Sequence, residues 1–138
     1  MTSVLIVDDD TQLVRALRIN LVARGYTVIT VADGRTGLRA VAQCRPNVVI
    51  LDLGLPDLDG TEVITELRTF TRVPIVVLSA RTDSADKANA LDRGADDYVT
   101  KPFDVEDLIA RLRAAVRRAT APVAGSRTPH TETCEGAV

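Results

Sequence analysis

The chain has 138 residues, of which 46% are hydrophobic, 26% charged and 3% aromatic, with 17 Lys and Arg against 19 Asp and Glu. This length suits a single core, the apolar fraction excludes a disordered polyelectrolyte, and a formal net charge of −2 leaves no positive field to draw in nucleic acid by charge alone. With no Trp, two Tyr and two Phe, the interior is aliphatic, as in a parallel sheet covered by helices.

The N-terminus opens directly into a strand over 3–7, with no basic leader and no run near the ~20 apolar residues of a membrane span, so a cytosolic protein with no membrane partner is expected. A helical period follows over 11–24 (Leu13, Leu17, Leu21), then a strand over 26–31 and a helix over 34–44 (Leu38, Val41, Cys44). A strand at 47–51 precedes a helix over 60–69 (Val63, Ile64, Leu67), and a strand at 74–78 precedes a helix over 84–93 (Ala88, Leu91). A short strand at 98–100 and a helix over 104–119 (Leu108, Leu112, Val116) complete the pattern. Four of the strands are continuous apolar runs, the mark of burial on both faces. Strict alternation of strand and helix predicts a doubly wound α/β sandwich with right-handed crossovers. Gly25, Gly34 and Gly94 punctuate helix ends, and Pro46 and Pro74 stand just before strands. From residue 120 the apolar period stops, and 120–138 is expected to be a flexible linker or tail. Cys44 and Cys134 lie far apart in no metal or redox motif, so neither a disulfide framework nor a zinc site is expected.

In an open parallel sheet, ligands bind beyond the carboxyl ends of the strands. There the chain places Asp8, Asp9 and Asp10 after the first strand, Asp52 after the third, Ser79 after the fourth and Lys101-Pro102 after the fifth. Asp and Ser also cap helices, and Asp10 is read as such a cap. Asp8, Asp9 and Asp52 together are a different matter, because clustered carboxylates require a cation or raised pKa values. Mg²⁺ prefers carboxylates, water and phosphate oxygens, and a lysine and a hydroxyl beside it make a phosphoryl-transfer site.

At these residues the chain resembles the receiver domain of two-component response regulators. The acidic pair Asp8-Asp9, Asp52 within Val-Ile-Leu-Asp-Leu-Gly-Leu-Pro, Ser79 in Leu-Ser-Ala-Arg, Tyr98 in Gly-Ala-Asp-Asp-Tyr, and Lys101-Pro102-Phe103 match in order. The resemblance implies a flavodoxin-like (CheY-like) five-stranded parallel sheet of order 2-1-3-4-5 with five helices, forming a receiver over 1–119. It implies that Asp52 is the phosphoacceptor for a sensor histidine kinase. Asp9, Asp52 and the backbone carbonyl of Gly54 would hold Mg²⁺ (or Mn²⁺), with Asp8 helping through water, and Lys101 would pair with the phosphoryl group. Ser79 and Tyr98 would be the switch pair, and the Lys101-Pro102 bond would be cis. Such a chain is a phosphoacceptor that takes part in its own phosphorylation and dephosphorylation, not an enzyme acting on other substrates. Gly54 and Arg81 fall where side chains flank the water that attacks the acyl phosphate, and a glycine there implies slow self-dephosphorylation.

The C-terminal half resembles the OmpR/PhoB subfamily, with Leu51-Asp-Leu-Gly-Leu-Pro-Asp57 and Ser79-Ala-Arg-Thr-Asp-Ser-Ala-Asp-Lys87 pointing to regulators of the Kdp potassium-uptake operon. That implies a homodimer through the face of the fourth helix, fifth strand and fifth helix. Its pairs would be Lys87 with Asp107, Asp97 with Arg111 and Asp92 with Arg113, around an apolar patch of Ala88, Leu91 and Ala110. Ala88 is smaller than is usual there and implies a weak dimer. Full-length members carry a DNA-binding effector domain, for which 120–138 is too short, so no direct nucleic-acid binding by this chain is expected. Three other readings compete. A haloacid-dehalogenase-like phosphatase would use Asp8 and Asp10, but Gln12 stands where its pattern needs Thr or Val. A flavodoxin-type cofactor binder lacks its Ser/Thr/Gly-rich phosphate loop. A stand-alone module acting by protein-protein interaction would leave the acidic set unexplained.

Overall fold

A computed structural model describes residues 1–120. The elements alternate without exception: β1 (Ser3–Val7), α1 (Thr11–Ala23), β2 (Thr27–Val31), α2 (Gly34–Cys44), β3 (Val48–Leu51), α3 (Gly60–Leu67), β4 (Ile75–Ser79), α4 (Ser84–Arg93), β5 (Asp97–Thr100) and α5 (Val105–Ala119). The five strands form one parallel sheet of order β2-β1-β3-β4-β5, which is the topology expected from the sequence. Element limits move by a residue or so: β2, β3 and β4 each start one position later than the apolar run, and β4 extends to Ser79, whose carbonyl accepts the Lys101 N–H at 2.8 Å. The linker expected over 120–138 lies outside the described residues beyond Thr120, the C-cap of α5.

Alternation along each strand splits the core into two layers. Leu5, Val7, Val49, Leu51, Ile75, Val77 and Tyr98 face α2, α3 and α4. Val4, Ile6, Val48, Ile50, Val76, Leu78 and Val99 face α1 and α5, where Leu17, Leu21, Leu108 and Leu112 meet them. All are buried, so both faces of the sheet are dry, as the continuous apolar runs require. Gly94 ends α4 at φ 123°, a backbone conformation that L side chains rarely adopt, and a Cβ there would stand 2.9 Å from the Arg68 side chain.

Every helix starts at an aspartate. Asp10, Asp33, Asp59, Asp83 and Asp104 each accept a backbone N–H from the first turn of the helix that follows. Capping therefore accounts for these five aspartates, and it confirms Asp10 as a cap. Asp8, Asp9 and Asp52 cap no helix.

One expectation is corrected. Cys44, 6% exposed against the core, is disulfide-bonded, and among the described residues no cysteine is free.

Candidate functional site

Parallel pairing places the ends of β1, β3, β4 and β5 side by side, and the site is built from the residues found there. Asp8 follows β1, is 3% exposed, and its Oδ1 accepts the Asp10 N–H at 2.9 Å. Asp52 follows β3, is 8% exposed, and its N–H donates to the Val7 carbonyl at 3.0 Å, which locks it in register beside Asp8. Asp9 is exposed, yet carboxylate oxygens of Asp8, Asp9 and Asp52 all lie within 4.8 Å of one another. Lys101, just past β5, reaches Asp8 Oδ2 at 3.2 Å and Asp52 Oδ1 at 3.6 Å through its Nζ, and the Lys101-Pro102 bond is cis.

Three carboxylates against one ammonium leave two negative charges in excess. Burial pushes the Asp8 carboxyl above the usual range, and the nearby Asp52 charge adds to this; the Asp10 N–H and Lys101 oppose it. Oxygen-only donors with excess negative charge are what a hard divalent cation such as Mg²⁺ requires, so the residues present fit that ion. Gly54 lies close enough that a Cβ on it would stand 3.8 Å from Asp52 Oδ2, which keeps its backbone beside the acidic set.

Ser79 and Tyr98 sit on the neighbouring strands. Ser79 is 1% exposed and its hydroxyl accepts the Arg81 N–H at 3.1 Å. Tyr98 is buried, with its hydroxyl donating to the Arg81 carbonyl at 2.8 Å. Of the residues of the expected dimer face, Lys87, Ala88, Leu91 and Asp92 on α4, and Asp107, Ala110 and Arg113 on α5 are all exposed. Arg111 is engaged within its own chain, with Nη1 at 3.0 Å from Asp97 and Nε at 3.0 Å from Asp107. Of the three pairs expected between copies, Asp97–Arg111 is thus made inside one chain, and Asp107 pairs with Arg111 rather than Lys87.

Two sets of polar contacts, centred on Asp59 and on Asp57, escaped the sequence reading. The Arg81 guanidinium spans from the loop after β4 to Asp59 Oδ1 at 2.6 Å in the loop after β3. Burial acts to raise the Asp59 carboxyl, but hydrogen bonds from Arg81 and Thr61 outweigh it and hold the group below the usual range. Asp57, recognised only as part of a motif, accepts N–H groups from Gly34 (2.8 Å), Arg35 (2.9 Å) and Leu58 (2.9 Å), so the loop after Asp52 is tied to the start of α2. A local signal existed only for Asp59, an Asp-Gly-Thr-Glu helix start.

The Arg35 N–H, followed by those of Gly34 and others, holds the Asp57 carboxyl below its ordinary value against a smaller opposing effect of burial. A carboxyl with a depressed folded-state pKa stabilises the fold above the unfolded value of about 3.9 and loses that contribution as pH falls through the folded one. Asp57→Ala should therefore lower the thermal midpoint at pH 7, and the gap to the parent should close as the pH is taken from about 4 to below the depressed value. Thermal unfolding followed by circular dichroism across that range checks this; a gap independent of pH would show that the carboxylate is not what holds α2.

Comparison with known proteins identifies the family. The family model for the response regulator receiver domain matches residues 4–113. The chain is 62% identical over 121 residues to the transcriptional regulatory protein KdpE of Mycobacterium tuberculosis, covering 88% of this chain and 54% of that protein. It is 49% identical over 124 residues to the KDP operon transcriptional regulatory protein KdpE of Escherichia coli, covering 90% and 55%. The response regulator ArlR of Staphylococcus aureus is 43% identical over 118 residues, with 86% and 54% covered. The chain thus spans about half the length of the curated relatives it matches. Among solved structures, the receiver domain of Francisella response regulator 1452 superposes with a TM-score of 0.82 at 29% identity, covering 86% of this chain and 99% of that one. The receiver domain of Klebsiella pneumoniae RstA gives 0.81 at 28% identity, covering 84% and 99%. No helix of the described residues is long and apolar enough to cross a membrane.

Proposed function

The chain belongs to the response regulator receiver domain family, and from that premise we propose that Asp52 accepts a phosphoryl group from the phosphohistidine of a sensor histidine kinase. A carboxylate oxygen of Asp52 forms the bond to phosphorus while the phosphorus–nitrogen bond breaks. The imidazole leaves with the electron pair, and an acyl phosphate remains on Asp52. Lys101 stands to pair with the transferred oxygens. Asp9, Asp52 and the Gly54 carbonyl are the groups that would hold Mg²⁺ or Mn²⁺, with Asp8 acting through water. The bound ion supplies charge neutralisation at the phosphoryl oxygens.

Ser79 then turns its hydroxyl toward a phosphoryl oxygen, and Tyr98 carries the change to the α4-β5-α5 face. That face would pair with a second copy of the chain. Exposed ion pairs are worth only ~0 to 1 kcal/mol each, so exchanging Arg111 between its own Asp97 and a partner's costs little, and such pairs fix register more than affinity. In a full-length regulator this dimerisation would control an appended DNA-binding domain, and the likeness to the KdpE proteins supports potassium-uptake genes as its targets. Because Gly54 has no side chain to orient an attacking water, the phosphorylated state is long-lived.

The observation that carries this reading is the convergence of Asp8, Asp9 and Asp52 within 4.8 Å, with Lys101 touching two of them. Incubation with acetyl phosphate and Mg²⁺ should add one phosphoryl group per chain by intact-mass spectrometry, and EDTA should abolish the gain. Continuous release of phosphate over many turnovers without a stoichiometric adduct would overturn it in favour of a phosphatase.

A further inference from the structure

Arg81 engages four partners with three different parts of itself. Its N–H donates to the Ser79 hydroxyl (3.1 Å), its carbonyl accepts the Tyr98 hydroxyl (2.8 Å), and its guanidinium crosses to the loop after β3. There it donates to Asp59 Oδ1 at 2.6 Å and, at 3.4 Å, to the carbonyl of Leu53, the residue that follows Asp52. Both acceptors are themselves held. Asp59 accepts the Thr61 N–H at 3.1 Å at the start of α3, and the Leu53 carbonyl also accepts the Gly60 N–H at 2.8 Å.

The segment 80–83 has little else to fix it. Ala80, Thr82 and Asp83 are exposed, and among the described residues its hydrogen bonds to the loop after β3 and to β5 are made by Arg81. A carbonyl can hold a buried tyrosine hydroxyl only as firmly as its own residue is held, so the Arg81 side chain determines how well Tyr98 is retained.

We propose that Arg81 and Asp59 form a latch between the phosphoacceptor loop and the buried Tyr98 ring, Arg81 acting as a positioning residue by a route that bypasses the Ser79 hydroxyl. This rests on reading Asp52 as the phosphoacceptor for its signalling meaning, but the coupling itself exists in the unphosphorylated chain. Any displacement of the loop that carries Asp52, Leu53 and Asp59 pulls on the guanidinium and moves the carbonyl that Tyr98 holds. The reverse also follows: withdrawing Tyr98 loosens the rim over Asp52.

The chain has two tyrosines, Tyr26 and Tyr98, and no tryptophan, so labelling with 3-fluorotyrosine yields two ¹⁹F resonances, assigned with Tyr26→Phe. Arg81→Gln and Asp59→Asn each keep a polar side chain, and Asn retains an oxygen to cap α3. Each variant should move the Tyr98 line at least half-way to its position in the urea-unfolded chain. The double variant should move it no further than the stronger single, and Arg81→Lys, which keeps the charge, should recover part of the native shift. A native Tyr98 line in both single variants, or strictly additive shifts, would overturn the latch. Failure of the phosphoacceptor reading shows separately, as no phosphoryl gain in the parent chain, and leaves the unphosphorylated ¹⁹F spectra fully interpretable.

Discussion

With Asp52 changed to Asn, the chain should take up no phosphoryl group from acetyl phosphate and Mg²⁺, yet unfold at a higher temperature than the parent. The two effects share one cause. Asp52 and Asp8 are buried carboxylates facing a single ammonium, with Lys101 at 3.6 Å from one and 3.2 Å from the other. Burial and then the Asp52 charge hold the Asp8 carboxyl above its ordinary range, the sign of a site that disfavours its own ionised state. An asparagine keeps the size of Asp52 and removes one negative charge, so Lys101 then neutralises Asp8 alone. Relief of about 1 kcal/mol would raise the thermal midpoint by roughly 4 °C in a domain of this size. The same change removes the only oxygen nucleophile proposed for phosphorus, and an amide does not replace it. Intact mass and differential scanning calorimetry in metal-free buffer read the two halves. A variant that still gains phosphate would place the acceptor elsewhere, and one that melts lower would mean that Lys101 already balances the cluster. Saturating Mg²⁺ should reverse the stability ranking, because an ion that binds the folded parent more tightly than the variant stabilises the parent by mass action.

Much of this molecule is legible in its residues because local and global preferences agree. Continuous runs such as Val4-Leu-Ile-Val7 and Val48-Val-Ile-Leu51 can be buried on both faces only in a covered parallel sheet, and each is followed by polar residues that could then only lie at the strand exits. Asp8, Asp52, Ser79 and Lys101 are found together for that reason. Strand limits were less legible: Pro74 lacks an N–H and stands just outside β4, while its carbonyl still accepts the Val49 N–H at 2.9 Å. What had no local signal is the cross-loop chemistry. Arg81 and Asp59 are 22 positions apart, and nothing in either neighbourhood names the other. Arg111 likewise stands four residues from Asp107 and fourteen from Asp97 and takes both, which a pairing rule drawn between copies does not anticipate.

Gly60→Ala should be among the most damaging single-methyl additions in the molecule, although nothing in its sequence context sets it apart from an ordinary helix-start glycine. A Cβ there would stand 2.6 Å from the Asp52 carbonyl oxygen, 2.6 Å from Leu53 Cα and 2.8 Å from Leu53 Cδ2. The first two are main-chain atoms, and the Gly60 N–H donates to the Leu53 carbonyl at 2.8 Å, so α3 begins in direct contact with the backbone of Asp52 and Leu53. A flexible side-chain tip could yield cheaply; a strand end already paired to β1 through the Asp52 N–H and Val7 carbonyl cannot. Overpacking of this kind costs roughly 1–3 kcal/mol, or about 4–12 °C in thermal midpoint. Whatever relaxation occurs must move either Asp52 or the start of α3, so phosphoryl uptake should slow as well. Gly54→Ala is the matched control for stability, since its Cβ would meet only Asp52 Oδ2, at an ordinary 3.8 Å, and should shift stability by no more than about 0.5 kcal/mol. Chemical denaturation of both variants checks the contrast. Equal midpoints would mean that α3 can slide off the strand end without cost, and that the close approach does not hold Asp52 in place.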